Sequence, residues 1–573
     1  MDSGDSHLLY RSVWFMFAVM MVLGMASVSE ARVHYHKWKI SYQNWSPDCM
    51  QVTIISINGQ YPGPTIKARE GDTVVVEIDN QMPTENVVIH WHGIRQIETP
   101  WSDGTASMSQ CAIQPSTTYI YRYAADRPGT YFYHGHYGLQ RSAGFYGSLI
   151  VDSAETEPFV YDGELSIILN DWWHTSTYQQ AAGLLSNPFV WVGEPQSLLI
   201  EGRGKYNCSA GSSTTCNVTS NQCLPHILPV KPGKTYRLRI ASVASLSSLN
   251  FLIQGHKMTV VEADGHYVEP VEVENLDVYS GESYSVLIRA DQDSSKNYWA
   301  AVNVRGRKPI TPTGLAVLNY LPNPSTNLPT KPPPPSPVWN DYAYSKTLAK
   351  KFLALAGHEE PPPMKPTRQL ILLNTQNKIN GFIKWAINNI SLVPPPTPYL
   401  AAMKYKIHGA YDTTPPPDAY HPRDYNITIP PINPNAVEGS GVYVFELNSV
   451  VDVILQNANT LTKNSSEIHP WHLHGHDFWI LGFGEGVFDP LKDPKKYNLV
   501  NPPLRNTVPL FPYGWTALRF KADNPGVWAF HCHLEAHFFM GMGVMFAEGI
   551  HKVGRLPRSA MGCGLVLNKM MHH

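Results

Sequence analysis

This chain of 573 residues has little charge, no long apolar run beyond its first 26 residues and few convincing amphipathic helices. Charged residues make up 16% of it and the formal net charge is -2, which argues against a polyanionic partner such as nucleic acid. The lack of a later apolar run of about 20 residues argues against a transmembrane protein. The chain has 48 prolines, so its composition favours two to four sheet-and-loop domains over a helical bundle.

The single long apolar run covers residues 13–26. It is too short to span a bilayer and is typical of the apolar core of a signal peptide. We therefore predict a signal peptide at residues 1–31, cleaved after Ala31, and a secreted product. An uncleaved N-terminal anchor is the alternative, because Asp2 and Asp5 are atypical of the start of a signal peptide.

Seven cysteines all lie after the predicted cleavage site. In an oxidising compartment six of them could pair and leave one free thiol, and Cys532, which lies between two histidines, is the obvious odd one. Five Asn-x-Ser/Thr triplets suit a secreted glycoprotein, although such triplets also arise by chance. They begin at Asn207, Asn217, Asn389, Asn426 and Asn464, whereas a sixth triplet at Asn44 is a poor acceptor because Pro47 follows it.

Two segments of the chain repeat each other. Residues 127–136, RPGTYFYHGH, match residues 524–533, NPGVWAFHCH, and each is preceded by a second matched segment, VIHWHG at 88–93 and IHPWHLHG at 468–475. The first and last domains therefore look related. At the corresponding place in the middle of the chain, residues 297–303 have no histidine. Because runs rich in β-branched residues recur throughout, we predict an all-β chain of three sandwich domains, of which the outer two carry metal.

Histidines two residues apart are unusually frequent. Random placement of 24 histidines would give about one His-x-His triplet, whereas the chain has six. Residues two apart on a strand point to the same face, so each pair can present two imidazoles to one cavity. Eight imidazoles without carboxylates suit two or three copper ions better than calcium or magnesium. The four pairs within the repeat are His90 and His92, His134 and His136, His472 and His474, and His531 and His533.

Any one of these pairs alone could be a set of surface or core histidines satisfied by hydrogen bonds. Four pairs in a duplicated frame argue against that reading. We interpret His34 and His36 as a chance pair, and His476 as a support for His474 that is not itself a ligand.

The strand at the end of the repeat predicts a second kind of metal site. Cys532 points to the opposite face from His531 and His533. A thiolate, two imidazoles and a weak thioether form the ligand set of an electron-transfer copper site, with Met540 as the competing sulfur. The predicted set is His469, Cys532 and His537, with Met542 as the axial ligand.

These segments, together with the repeat and the seven cysteines, resemble those of the multicopper oxidases over nearly the whole predicted mature chain. Stretches of mixed composition narrow the resemblance to members that oxidise ascorbate, because histidine pairs alone would not separate them from laccases. These stretches are GTASMSQC at 104–111, WVGEPQ at 191–196, NGFIKWAIN at 380–388 and NPGVWAF at 524–530. The resemblance implies three consecutive cupredoxin-like Greek-key β-sandwich domains at 32–159, 160–365 and 366–573, the second including a proline-rich linker.

Carried over residue by residue, the resemblance implies four coppers per chain: one type 1, one type 2 and a type 3 pair. The type 1 copper would be bound by His469, Cys532 and His537, with Met542 as the axial ligand. The type 2 ligands would be His90 and His472, and the type 3 ligands would be His92, His134, His136, His474, His531 and His533. The resemblance also implies the disulfides Cys49–Cys223, Cys111–Cys563 and Cys208–Cys216. Ala536 stands where the family usually has proline and Phe539 where histidine is common, which at most tunes the loop.

Three further residues are site candidates through the resemblance. Trp191 and Trp385 match the family's aromatic walls around the substrate site, near the edge of His537, although a core role is the alternative. Asp103 is a candidate for proton delivery to the copper cluster. A turn-forming aspartate before Gly104 is the alternative.

The implied function is that of a secreted enzyme of the apoplast or cell wall, with L-ascorbate and dioxygen as partners. It would oxidise ascorbate one electron at a time and reduce dioxygen to water, with Cys532 as the link between the two half-reactions. A laccase-like oxidase of phenols or metal ions is the first alternative. A non-catalytic cell-wall protein is the second, although the intact ligand set argues against it. We expect no nucleic acid and no membrane contact after signal cleavage, and the resemblance is compatible with a homodimer.

Overall fold

The computed structural model describes residues 31–210, 215–420 and 425–571. Apart from Ala31, the predicted signal peptide lies outside these residues. The described residues form six β-sheets that pack in three consecutive pairs. The predicted all-β fold of three cupredoxin-like domains is confirmed, while the predicted domain bounds stay predictions.

The first sandwich is made of two four-stranded sheets, in the orders β2-β1-β4-β6 and β3-β8-β7-β5. Its strands are β1 (Val33–Trp45), β2 (Val52–Ile57), β3 (Ile66–Arg69), β4 (Thr73–Asn80), β5 (Ile89–His92), β6 (Thr118–Ala124), β7 (Gly129–Gly135) and β8 (Tyr146–Asp152). In β6 exposed and buried positions alternate strictly, so Tyr119, Tyr121 and Tyr123 point inward. They meet Trp91 of the facing sheet in one core.

The second sandwich pairs a six-stranded sheet, β10-β9-β12-β17-β14-β15, with a five-stranded sheet, β11-β19-β18-β13-β16. Its strands are β9 (Gly163–Trp172), β10 (Ser197–Ile200), β11 (His226–Val230), β12 (Thr235–Ser242), β13 (Ser248–Ile253), β14 (Met258–Ala263), β15 (His266–Val273), β16 (Asn275–Val278), β17 (Ser283–Arg289), β18 (Tyr298–Arg305) and β19 (Gly314–Tyr320). Its core is one cluster that includes Leu238, Phe251 and Val302.

The third sandwich pairs an eight-stranded sheet, β23-β22-β21-β20-β25-β30-β27-β28, with a five-stranded sheet, β24-β32-β31-β26-β29. Its strands are β20 (Arg368–Ile379), β21 (Phe382–Ile387), β22 (Ile390–Leu392), β23 (Val437–Gly439), β24 (Val442–Phe445), β25 (Val450–Gln456), β26 (His469–Leu473), β27 (Phe478–Glu485), β28 (Leu504–Arg505), β29 (Thr507–Leu510), β30 (Gly514–Lys521), β31 (Gly526–Cys532) and β32 (Gly543–Glu548). The five α-helices of the described residues are short: α1 (Thr177–Leu184), α2 (Tyr342–Ala349), α3 (Tyr399–Lys404), α4 (Glu535–Phe539) and α5 (Gly564–Met571).

Strand β31 is buried on both faces, and the two faces belong to different cores. Val527 and Ala529 pack in the core cluster of the first sandwich, whereas Phe530 and Cys532 pack in that of the third. Because side chains alternate along a strand, His531 continues the face toward the first sandwich. The interface between these two domains therefore runs along the strand that carries the free cysteine.

The three predicted disulfides are formed: Cys49–Cys223, Cys111–Cys563 and Cys208–Cys216. The second of them joins the first domain to the C-terminal segment that follows β32. Cys532 is the one free cysteine among the described residues and it is buried. Over the described part of the chain, no helix is both long and apolar enough to cross a membrane.

Candidate metal centre

Strand pairing aligns the histidines within each outer domain. In the first domain β5 and β7 are antiparallel with His90 opposite His134. In the third domain β26 and β31 are antiparallel with His472 opposite His531. The period-two alternation places the second histidine of each pair on the same face. Since the two sheets face each other at the domain interface, the four pairs converge.

Convergence produces three groups of nitrogen donors, within each of which the donor atoms lie within 4.8 Å of one another. All but one of these rings are buried, and His136 is half-buried. All three groups combine histidines of the first and third domains, and two of them together contain the six histidines that the resemblance predicts for a type 3 pair. The groups are His92, His134 and His533; His136, His474 and His531; and His90, His472 and His474.

In most of these rings the nitrogen that points away from the cluster is hydrogen-bonded to an oxygen, and this oxygen fixes the tautomer. A carbonyl or carboxylate oxygen only accepts, so the ring nitrogen facing it carries the proton and the other keeps a lone pair. The Nδ1 contacts are His90 to Asp103 O at 2.8 Å, His134 to Gly135 O, His472 to Asn506 O and His531 to Cys532 O each at 2.9 Å, and His474 to Asp103 Oδ2 at 2.9 Å. These five rings therefore offer Nε2 to the interface.

His92 is oriented the other way round. Its Nε2 lies 3.2 Å from Thr507 Oγ1, and that hydroxyl is 3.1 Å from Asn506 Oδ1, to which it can donate. The hydroxyl can thus accept from Nε2 of His92, and Nδ1 of His92 is a buried atom without a hydrogen-bond partner. Nε2 of His134 is equally orphaned. Because leaving buried polar atoms unpaired costs about 1–3 kcal/mol each, these two nitrogens are suited to bind a metal.

Burial favours the neutral form of seven histidines of this cluster. Burial is the first cause that lowers the pKa of His92, His134, His136, His472, His474, His531 and His533 well below the ordinary value. Neutral imidazoles are metal ligands, and a set of eight suits copper or another late transition metal better than calcium or magnesium. The residues present therefore fit a copper cluster.

A second site lies on the other face of β31. Cys532 Sγ is 3.8 Å from Nδ1 of His469 and 3.8 Å from Nδ1 of His537, and these two nitrogens are 3.2 Å apart. All three side chains are at most 1% exposed. Burial raises the pKa of the Cys532 thiol, so a bound metal would have to stabilise the thiolate. One thiolate and two imidazoles fit a mononuclear copper.

Met542 is fully buried in the same core cluster as Cys532. Its backbone N–H donates to His537 O at 3.0 Å and its carbonyl accepts from Cys532 N at 3.1 Å. Met540, the competing sulfur, belongs to the same cluster. The axial role of Met542 stays a prediction.

The two tryptophans differ in exposure. Trp385 is 1% exposed, and its ring centroid lies 4.7 Å from that of His537 and 4.9 Å from that of His469. Trp191 is half-buried, with its ring centroid 6.1 Å from that of His537. Trp385 thus packs on both histidines of the mononuclear site, while Trp191 forms the outer wall.

Two charged residues beside His537 escaped the sequence reasoning. Glu467 Oε2 lies 3.3 Å from His537 Nε2, and Arg307 pairs with both Glu467, at 2.9 Å, and Glu194. Against the cost of burial, the hydrogen bond to His537 and the charge of Arg307 lower the pKa of Glu467. Glu467 lies two residues before His469, so a search for carboxylates near ligands could have found it. Arg307 lies in the middle domain and carried no signal.

Asp103 is fully buried between the two outer domains. Its backbone carbonyl accepts from His90, and its carboxylate accepts from His474. The second carboxylate oxygen lies 3.3 Å from His90 Nδ1 and has no hydrogen-bond partner. The residue therefore does more than form a turn before Gly104, because one side chain touches histidines of both domains.

A cavity of about 290 Å³ reaches the cluster from the side of His134, His136, His531 and His533. Its wall includes Glu535 and Arg141, which the sequence reasoning missed. Glu535 accepts from the backbone N–H groups of Arg141 and Ser142, at 2.9 Å each. Glu535 lies inside the HCHLEAH motif, so a search for carboxylates between the ligand residues could have found it.

The remaining histidine predictions concern His34, His36 and His476. His34 Nε2 lies 2.7 Å from Asp72 Oδ2. His476 lies 3.0 Å from Glu548 and 3.2 Å from the carbonyl of His474. None of the three joins a donor group within the described part of the chain.

Family models described as multicopper oxidase match the chain at residues 39–156, 163–323 and 410–552. The chain belongs to the multicopper oxidase family, and it is therefore a copper protein of the oxidoreductase class. An L-ascorbate oxidase of Nicotiana tabacum is 57% identical over 554 residues, which cover 95% of this chain and 95% of that protein. Laccase-11 of Arabidopsis thaliana is 34% identical over 93% of this chain and 95% of its own length.

Among solved structures, Fet3p, described as a multicopper oxidase that functions in iron import, superposes with a TM-score of 0.75. It is 25% identical, and the match covers 94% of this chain and 95% of Fet3p. The overall fold is thus similar to that of a solved multicopper oxidase.

Proposed function

We propose that this chain is a secreted enzyme that oxidises L-ascorbate one electron at a time and couples this to the reduction of dioxygen to water. Each ascorbate monoanion gives up one electron and one proton, and dioxygen takes up four of each to become two waters. The observation that carries the proposal is that Cys532 and His531 are neighbours on one strand, with the thiol in the mononuclear site and the imidazole in the cluster.

We assign the mononuclear, type 1 site to His469, Cys532 and His537, with Met542 as the axial ligand. His90 and His472 would hold a type 2 copper. The group of His92, His134 and His533 and the group of His136, His474 and His531 would hold the type 3 pair, which makes four coppers per chain. When bound, copper supplies the one-electron redox chemistry that protein side chains lack, and four ions can store the four electrons that one dioxygen needs.

The substrate site lies at the Nε2 edge of His537. Trp191 offers a partly exposed aromatic face, on which a planar ring of ascorbate can pack. Glu467 contacts this edge, and Arg307 pairs with Glu467 and with Glu194. Trp385 lies beneath the edge and keeps water away from the two copper-binding imidazoles.

The link between the two sites is covalent. Cys532 is bonded through the backbone to His531 and His533, so its sulfur and the imidazoles of the cluster are joined by one short stretch of one strand. This strand is the connection through which the two half-reactions are joined.

Two buried carboxyl groups are placed to serve the protons of dioxygen reduction. Glu535 lines the cavity that reaches the type 3 histidines. Asp103 touches His90 and His474. Since dioxygen needs four protons, two carboxyl groups beside different histidines of the cluster suit the reaction.

Secretion rests on the predicted signal peptide at residues 1–31 and on the three disulfides, which form in oxidising compartments. The extracellular space, as apoplast or cell wall, is the proposed location.

Oxygen uptake with three donors tests the proposed substrate. Ascorbate, a diphenol and ferrous ion are compared at equal concentration, and we expect kcat/KM to be highest for ascorbate. Ascorbate as the poorest of the three would replace the proposal with a laccase-like or metal-ion oxidase. The 34% identity to a laccase, against 57% to an ascorbate oxidase, favours ascorbate.

Metal analysis of copper-replete protein tests the copper count. Four coppers per chain are expected. Fewer than three would contradict the assignment and revive a non-catalytic cell-wall protein.

A further inference from the structure

The middle domain has no metal ligand, yet one of its loops touches the cluster. Residues 279–282 connect β16 to β17, and Ser280 at their centre is fully buried. Its Oγ lies 2.8 Å from Nδ1 of His533. We propose that Ser280 is the positioning residue that sets the tautomer and orientation of His533, and so makes the middle domain a part of the type 3 site. This inference rests on the copper cluster proposed above.

The direction of the hydrogen bond follows from the other partners of the serine. Ser280 Oγ also contacts the carbonyl oxygen of Ala244 and, at 3.3 Å, that of His533, and both oxygens can only accept. A hydroxyl has a single proton and two lone pairs, so with its proton given to Ala244 it must accept from His533. Nδ1 of His533 then carries the proton, and Nε2 keeps the lone pair for a metal.

Arg141 lies against the same imidazole and supports the neutral form. Its Nη1 lies 2.8 Å from Nδ1 and 2.9 Å from Nε2 of His533, and its other terminal nitrogen donates to the His533 carbonyl. A guanidinium only donates, so it opposes a second proton on the ring. It cannot replace Ser280, because it offers no acceptor to Nδ1–H.

Gly281 lets the loop come this close. Its φ is +92°, and a Cβ there would lie 2.9 Å from Cγ and 3.0 Å from Nδ1 of His533. No real side chain tolerates that approach without displacing the ring. The backbone of the middle domain is therefore the wall against which the imidazole rests.

Arg505 connects this loop to the segment of the third domain that contacts two other histidines of the cluster. It is buried and pairs with Glu282 of the same loop at 3.1 Å and with Asp264 at 2.8 Å. The two residues after Arg505 are Asn506 and Thr507, which hold His472 and His92. One guanidinium thus fixes the loop of the middle domain relative to the segment that orients two other ligands.

Among the eight cluster histidines, His533 is the one whose outer nitrogen contacts a side chain of the middle domain within the described residues. The other contacts come from the outer domains themselves. Loss of the Ser280 hydroxyl should therefore weaken copper binding at the type 3 site. Copper binding at the mononuclear site, on the opposite face of β31, should not change.

The test compares Ser280→Ala with wild type and with Ser242→Ala. Ser242 is a matched control, because it is buried beside the same loop. Its backbone carbonyl accepts from Gly281 N, and its side-chain hydroxyl has no hydrogen-bond partner. Copper per chain is measured after incubation with increasing EDTA, together with the blue absorption of the mononuclear site and the fraction of copper silent in electron paramagnetic resonance, which reports the coupled pair.

We expect Ser280→Ala to lose cluster copper at an EDTA concentration about 10–100-fold lower than wild type, since that is the usual effect of removing an outer partner of a ligand. Its blue absorption should be retained, and Ser242→Ala should behave as wild type. Copper retention in Ser280→Ala equal to that of Ser242→Ala would overturn the inference.

If Ser280→Ala does not fold, Ser280→Thr is compared with Ser280→Val. Threonine and valine have nearly the same shape, and only threonine keeps the hydroxyl. Threonine should keep the coupled copper and valine should lose it, whereas equal behaviour would overturn the inference. Wild-type protein that held no copper would refute the proposed function itself, so the two failures are distinguishable.

Discussion

The imidazole rings of His90 and His474 stack with their centroids 3.8 Å apart and an angle of 29° between their planes. One belongs to the first domain and the other to the third. Asp103 contacts both, accepting from His90 through its backbone carbonyl and from His474 through its carboxylate. The cluster is thus a property of the interface, and neither domain could form it alone.

The first prediction separates two roles of Asp103. Asp103→Ala removes the acceptor of His474, so it should lose cluster copper, with a reduction of about 10–100-fold in affinity. Asp103→Asn keeps an acceptor but no titratable group, so copper should stay while turnover falls at least about tenfold. Copper analysis and oxygen uptake are measured on both variants. An asparagine variant with wild-type turnover would rule out a role in proton supply.

The second prediction concerns the link between the two sites. Cys532→Ser should abolish turnover and the blue absorption, because a serine hydroxyl cannot replace a thiolate as the strong ligand of the mononuclear site. The chain should still fold, since Cys532 takes no part in the three disulfides. Oxygen uptake, copper content and circular dichroism check this. Retained ascorbate oxidation would refute the role of Cys532.

The third prediction uses the different exposure of the two tryptophans. Trp191→Ala should raise KM for ascorbate about fivefold with little loss of stability, because a partly exposed ring contributes on the order of 1 kcal/mol of stacking. Trp385→Ala should raise KM and also destabilise the protein by about 3–5 kcal/mol, because it empties a buried site.

Steady-state kinetics and thermal unfolding separate these effects. Trp479, half-buried against a different core cluster, supplies the control variant Trp479→Ala, whose KM should not change. An unchanged KM in both Trp191→Ala and Trp385→Ala would remove the aromatic walls from the substrate site.

The fourth prediction concerns pH. Burial, together with the charge of Asp264, raises the pKa of Glu282 to about 7 against the opposing charge of Arg505. Because this folded-state value lies above the ordinary value of 4.5, the contribution to stability is fully present below about pH 4.5 and is lost as the pH rises through about 7. The loss is about 3 kcal/mol.

Glu282→Gln removes this ionisation, so its denaturation midpoint should change less than that of wild type between about pH 5 and 8. Glu446→Gln, at an exposed position, is the control. Equal pH dependence of the Glu282 variant and wild type would show that Glu282 does not titrate in this range.

Much of the candidate site could be predicted because its chemistry is local in sequence. His531, Cys532 and His533 are adjacent, and strand periodicity assigns them to two faces without any tertiary information. The internal repeat then identified the other histidine pairs that lie near this strand. The disulfides could be paired only through the family resemblance, since seven cysteines leave many pairings open.

Other parts could not be predicted, because they depend on contacts between distant segments. Nothing in the histidine spacing says that His92 faces the cluster with Nδ1 while His134 does so with Nε2. That difference follows from Thr507, a residue of the third domain. The burial of Trp385 and the positions of Glu467 and Arg307 are likewise results of domain packing.

The amino-acid sequence by itself determined the fold class, the identity of the donor side chains and their division between two faces of one strand. These follow from residue type and from a period of two, which are properties of a few neighbouring residues. Only the tertiary structure decided which rings lie together, which nitrogen each ring offers, and that a loop of the middle domain contacts His533 through Ser280. Such contacts join residues hundreds of positions apart, and they exist only because three sandwiches bury their surfaces against one another.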